Sequence, residues 1–143
     1  PALFAGFRNQ SEIGAYFAAA DALVLPSDGG ETWGLVVNEA MACGLPALVS
    51  REAGCSADLV SDGENGYVFD CGDVDALARA MAAIQRDLEA GAEQVRGRVV
   101  TRIAAYSVDA AAAGVLRALD AVASGRERSG TAGPQSAPAD EGR

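Results

Sequence analysis

The stretch Ala22-Leu-Val-Leu-Pro26-Ser-Asp-Gly-Gly-Glu31-Thr-Trp-Gly-Leu-Val36-Val-Asn-Glu39-Ala-Met-Ala-Cys-Gly44-Leu-Pro46-Ala-Leu-Val-Ser50 holds a complete strand–loop–helix–strand unit. Ala22 to Pro26 is a continuous apolar run, as a strand covered on both faces requires. Ser27 to Gly30 is a loop by composition. From about Trp33 to Cys43 the pattern predicts a helix, and Gly44 is suited to end it in a left-handed conformation. Leu45 to Ser50 returns as a strand, with Pro46 at its start, where a missing N–H is tolerated. Short apolar runs alternating with helical periodicity are the α/β signature, and the fold class is therefore α/β.

Reading outward supports this. Leu3 to Gly6 is expected to be the end of a strand. Asn9 and Glu12 have capping-box spacing, and Ile13, Tyr16, Phe17 and Ala20 share one face of the helix that follows, up to Asp21. Downstream, a short helix is expected from Ser56 to Val60. Asp62-Gly63 and Asn65-Gly66 are turn dipeptides, and Tyr67 to Phe69 is a short strand. Asp73 caps an amphipathic helix with Val74, Leu77, Met81, Ile84 and Leu88 inward. A further helix carries Val95, Val99 and Ile103. Ser107 opens a last one with Val115, Leu116, Leu119 and Val122. The chain thus reads as one domain over 1–123 and a disordered tail over 124–143, where Gly, Ser, Pro, Ala and charge dominate.

Composition narrows the function. The 143 residues suffice for about one domain. Hydrophobic residues make up 50% and aromatics only 6%, so small aliphatics do much of the packing. The net charge of -9 argues against nucleic acid or anionic lipid as the main partner. No continuous apolar run reaches the ~18 residues of a membrane span. The absence of histidine removes imidazole bases and imidazole metal ligands. Cys43, Cys55 and Cys71 are too widely spaced for a metal or redox pair, and suit reduced, partly buried thiols in a cytoplasm. Arg8 and Arg51 read as solvated surface cations.

Chemistry concentrates between Ser27 and Pro46. Ligands of open α/β sheets sit at the carboxyl ends of the strands, where this loop lies. The helix that follows offers unpaired N–H groups and a positive dipole end, suited to phosphate. Gly29, Gly30 and Gly34 let backbone approach a ligand closely. Glu31 lies in the loop and Glu39 one to two turns into the helix, so two carboxylates can reach one ligand at different depths. Vicinal hydroxyls of a sugar or ribose donate well to carboxylates. Glutamates in loops and helices are most often solvated surface, and paired glycines are most often turns. Glu39 is the oddity, because a lone carboxylate in a mostly apolar helix is costly without a partner or a task.

At these residues the chain resembles glycosyltransferase family 4. Glu31-Thr-Trp-Gly-Leu-Val-Val-Asn-Glu39, followed by Ala-Met-Ala-Cys-Gly-Leu-Pro46, is similar to that family's Glu-seven-residues-Glu signature. Phe4-Ala-Gly-Phe7, Ala18 to Ser27, Gly54 to Val60, Asp62 to Tyr67 and Tyr106-Ser107 resemble its flanking segments, so the likeness runs from about Leu3 to Leu119. Trp33 stands where Phe is commoner.

The resemblance implies a Rossmann-like parallel sheet with flanking helices, the C-terminal half of a GT-B fold. It implies transfer of a sugar from a nucleotide-diphosphate-sugar donor with retention of anomeric configuration, without a metal ion or cofactor. Glu31 would be the catalytic residue, contacting donor hydroxyls and favouring charge at the anomeric carbon. Amides around Thr32, Trp33 and Gly34 would hold sugar and diphosphate. Leu35 and Val36 would offer helix N-terminal amides to the phosphates, and Glu39 would hold the ribose. In the family an Arg and a Lys upstream of this segment contact the diphosphate, and a separate N-terminal domain binds most of the acceptor. The chain would then be the donor-binding part, inactive alone, and cytoplasmic or at the inner membrane face in its parent. Two alternatives remain open: a sugar-nucleotide epimerase or glycosyl phosphorylase of the same fold, and a nucleotide-sugar-binding module without turnover.

Overall fold

A computed structural model describes residues 2–130, with side chains to Ser124. The chain divides after Tyr106 into two units. The first is an α/β unit built on a three-stranded parallel sheet in the order β1-β2-β3, with β1 at Leu23–Leu25, β2 at Ala47–Ser50 and β3 at Gly66–Phe69. Leu23 pairs with Ala47, and Ala47 with Gly66. The central strand β2 is buried along its whole length. This is the expected parallel sheet, and its burial explains the unbroken apolar run at residues 45–49.

Helix α1, Gln10–Ala19, precedes β1 and opens on the expected capping box: Asn9 Oδ1 accepts from the Ser11 N–H, and the Asn9 N–H donates to Glu12. Helix α2, Leu35–Ala42, connects β1 to β2 and ends at Gly44, whose φ of 83° is the left-handed conformation glycine takes cheaply. The short helix α3 is Ser56–Leu59. Helix α4, Val74–Ile103, is capped by the Asp73 side chain on the Ala76 N–H and breaks at Gly91, where the backbone is extended. That break separates the two expected helices. A 3-10 turn, Ala104–Tyr106, closes the unit.

The main core gathers Val37, Met41, Leu48, Val49, Leu59, Phe69, Ile84, Val95 and Val99. A smaller cluster of Phe17, Ala40 and Leu45 ties α1 to α2.

Three expectations change. Leu3 to Gly6 is not a strand: the arm has no regular structure, and Leu3, Phe4 and Phe7 are at least 90% exposed. A strand needs a neighbour to complete its hydrogen bonds, and this arm has none among the described residues. On α4, Val74 and Met81 are exposed, while Ala80 and Ile84 are buried. Val74 is the first residue of the helix, and the buried face follows Leu77, Ala80, Ile84 and Leu88, where alanine permits close packing. Cys43 and Cys71 are exposed, and Cys55 alone is buried.

The second unit contains helix α5, Val108–Gly130, opened by Ser107, whose Oγ accepts from the Ala110 N–H. The helix passes the tail boundary expected at 124, and 131–143 of the expected tail lies outside the described residues. Val115, Leu116, Leu119 and Val122 form an exposed apolar stripe. The stretch Val74–Ser124 contains an 18-residue window of mean hydropathy 1.4, enough by length and composition to cross a membrane. Scattered alanines raise that mean, so a search for an uninterrupted apolar run does not find it.

Candidate functional site

The carboxyl ends of β1 and β2 release two loops that lean on each other. At their roots the Ser50 hydroxyl donates to the Ser27 carbonyl. Asp28 then makes an Asx turn, its Oδ1 accepting from the Gly30 N–H at 3.0 Å, and its carbonyl accepts from the Glu31 N–H at 3.1 Å. Glu31 follows this turn and is partly buried.

The next residues are held from behind. The Gly54 N–H donates to the Glu31 carbonyl at 3.3 Å, and the Cys55 N–H to the Trp33 carbonyl at 2.8 Å. The N–H groups of Thr32, Trp33 and Gly34 take no acceptor among the described residues. Gly34 then turns the chain into α2 with a φ of 99°. A β-carbon there would meet Leu25 Cδ2 at 3.0 Å and Cys55 Sγ at 3.1 Å, so the conformation favours glycine and the space is tight for anything larger.

Helix α2 begins without a side-chain cap. Its first bonded amide is that of Val37, on the Gly34 carbonyl at 2.9 Å. The N–H groups of Leu35 and Val36 precede it and take no acceptor among the described residues. Two uncapped amides at a helix start form an anion site by geometry and by dipole.

Glu39 is the fifth residue of α2 and is partly buried. It lines a groove of about 640 Å³ together with Val36 and the segment Phe7, Arg8, Asn9, Gln10, Ser11 and Ile13. Neither Glu31 nor Glu39 has a side-chain hydrogen bond or ion pair among the described residues. Glu31 precedes the start of α2 and Glu39 lies within the helix; of the two, only Glu39 lines this groove. Arg8, expected to be a solvated cation, lines this groove; it also reaches Glu12 at 3.7 Å and lies 5.4 Å from the Tyr16 ring centre. Arg51 is exposed, with its Nε donating to Asp70 at 2.7 Å, which raises its pKa further.

Sequence reasoning missed the groups that support the loop. The Trp33 indole N–H donates to Asn38 Oδ1 at 2.7 Å, and its ring lies 6.2 Å from that of Tyr106. Burial pushes the Cys55 thiol pKa up, and the Glu31 and Asp58 carboxylates push it the same way, so it packs as a neutral group. Asn65, read only as part of a turn, is buried: its Oδ1 accepts from the Ser61 N–H and its Nδ2 donates to the Leu59 carbonyl, each at 2.8 Å. Among the described residues no group of three or more acidic or cysteine side chains is placed to hold a metal ion.

Comparison with known proteins agrees with this architecture. The family described as glycosyl transferases group 1 matches residues 2–96. A phosphatidyl-myo-inositol mannosyltransferase of Mycobacterium leprae is 36% identical over 100 residues, covering 65% of this chain and 26% of that protein. A sulfoquinovosyl transferase of Arabidopsis thaliana is 36% identical over 91 residues, 62% of this chain and 18% of that protein. The chain therefore spans about a fifth to a quarter of these relatives. Among solved structures, HepE of Anabaena in complex with UDP superposes with a TM-score of 0.61 at 27% identity, over 74% of this chain and 29% of that one. The sucrose-phosphate synthase of Thermosynechococcus elongatus does so with a TM-score of 0.59 at 34% identity, over 75% of this chain and 27% of that one. On the family match and these GT-B neighbours, the chain belongs to the glycosyl transferases group 1 family and carries part of a GT-B fold.

Proposed function

We propose that this chain is the donor-binding part of a retaining glycosyltransferase acting on a nucleotide-diphosphate sugar. One observation carries the reading: the uncapped start of α2, with free amides at Leu35 and Val36, opens at left-handed Gly34, with Glu31 before it and Glu39 within the helix, neither carboxylate paired among the described residues. Diphosphate fits the amides, a sugar fits the Glu31 side, and a ribose fits the Glu39 side. The groove that Glu39 shares with residues 7–13 has room for a nucleoside.

In this reading the acceptor oxygen bonds to the anomeric carbon on the face that the diphosphate leaves. The carbon–oxygen bond to the diphosphate breaks, and the acceptor proton passes to the departing phosphate. Glu31 favours the positive charge that grows at the sugar. The chemistry needs no histidine base and, as we read it, no divalent metal. The acceptor is held mainly by a further domain, so the 143-residue chain alone does not transfer sugar.

The test is Glu31→Gln in the complete enzyme. Because the carboxylate acts where charge develops, kcat should fall by about 10²-fold or more while donor affinity changes little. An unchanged kcat would remove Glu31 from its role.

A further inference from the structure

We propose that Gly54 and Cys55, on the loop after β2, form a positioning clamp that fixes the amide-presenting loop Glu31–Gly34. The inference rests on reading that loop as the donor site, but the clamp can be measured without a donor. Gly54 does not have positive φ, so its backbone conformation is open to any residue. Space is what excludes a side chain. A β-carbon on Gly54 would lie 2.0 Å from the Thr32 carbonyl oxygen and 2.9 Å from its carbon. Both are backbone atoms, so no change of rotamer relieves the clash.

The reciprocal contact lies one step along. Cys55 Sγ sits 3.1 Å from where a β-carbon on Gly34 would be. Gly54 thus fits against the Thr32 backbone with no room for a methyl group, and Gly34 fits closely against Cys55, where a methyl group would be tight. Between these contacts run the two hydrogen bonds from the Gly54 and Cys55 N–H groups to the Glu31 and Trp33 carbonyls. The Trp33 indole, tied to Asn38 on α2, adds a third tether.

The function of the clamp follows from the sign of the peptide dipole. Carbonyl oxygens repel phosphate oxygens, and N–H groups attract them. With the carbonyls of Glu31 and Trp33 bonded to residues 54–55, those oxygens are occupied, and the amides of residues 32–36 remain for an anion. A preorganised donor array of this kind needs no reorganisation when charge arrives. Gly54 and Cys55 touch neither sugar nor phosphate in this scheme; they are positioning residues.

Amide hydrogen exchange on the 143-residue chain tests this. In the wild-type chain the Cys55 amide should be protected, while those of Thr32, Gly34, Leu35 and Val36 exchange fast. Gly54→Ala should speed exchange at Cys55 by about tenfold or more, the scale of one lost hydrogen bond, and leave Val49 protected. Gly14→Ala is the control, since a β-carbon there meets nothing within 4 Å. UDP, GDP and ADP are then added in turn. The nucleotide that shifts the Leu35 and Val36 amide resonances of the wild type should shift them less in Gly54→Ala. Fast exchange at Cys55 in the wild type overturns the clamp, and this needs no folded variant. So does a Gly54→Ala chain that keeps wild-type protection, or that responds to nucleotide as the wild type does. If no nucleotide shifts the wild-type amides, the donor reading fails instead, and exchange at Cys55 still decides the clamp.

Discussion

Two short apolar runs, Leu3 to Gly6 and Leu23 to Leu25, read alike in the sequence, yet only the second is a strand. Leu23, Val24 and Leu25 pair with Ala47, Leu48 and Val49. Leu3 and Phe4 have no such neighbour among the described residues, and they stand exposed. The difference shows that an apolar run states a willingness to be a strand. A ladder partner and a covering layer make it one. The same holds for polar groups: Asn65 is buried where it bonds two backbone groups, whereas Glu31 and Glu39, both partly buried, have no side-chain partner among the described residues.

The largest effect that sharpens this comparison is a truncation on each side of it. Leu48→Ala should destabilise the chain by about 2–5 kcal/mol, because Leu48 is 1% exposed. Phe4→Ala, at 95% exposure, should stay within about 0.5 kcal/mol. Urea unfolding of both variants measures this. A comparable loss from Phe4→Ala would mean that the arm packs in solution.

A smaller loss is expected at Asn65. Asn65→Ala leaves the Ser61 N–H and the Leu59 carbonyl without their partner and should cost about 1–3 kcal/mol. If the same denaturation series shows Asn65→Ala at wild-type stability, water replaces the side chain and the turn is not held by it.

The smallest effect is a pH dependence. The Tyr67 hydroxyl donates to Asp87 at 2.6 Å, and this bond raises the phenol pKa above its ordinary value of about 10. The folded state therefore favours the protonated phenol. Its contribution is complete below about pH 10 and fades as pH rises through the raised folded-state value. Tyr67 is partly exposed, so the effect is modest. Tyr67→Phe should show a flatter loss of stability above about pH 10; a curve parallel to wild type would place the alkaline loss elsewhere.

The sequence made most of the fold legible where a local signal coincided with a local cause. Asn9 with Glu12, Asp73 and Ser107 cap their helices as their spacing suggests, and Gly44 ends α2. The α/β class and the strand–loop–helix unit at Leu23–Ser50 followed from residue pattern, and the family from the Glu31–Pro46 motif. What stayed hidden depends on contacts distant in sequence. Nothing about Gly54 announces that the Thr32 carbonyl lies against it. Periodicity placed Met81 inward because it cannot see that the buried face of α4 runs through Ala80. The groove that Arg8 and Glu39 both line joins residues about thirty apart, and no local spacing encodes that.

The start of α2 and Glu39 are proposed to receive a nucleoside diphosphate. Calorimetric titration of the complete enzyme with the diphosphate of its donor, for wild type and Glu39→Gln, tests this directly. Losing the charge on the group proposed to hold the ribose should weaken binding by about 1–3 kcal/mol, roughly five- to 150-fold in the dissociation constant. An unchanged dissociation constant in Glu39→Gln would contradict the assignment.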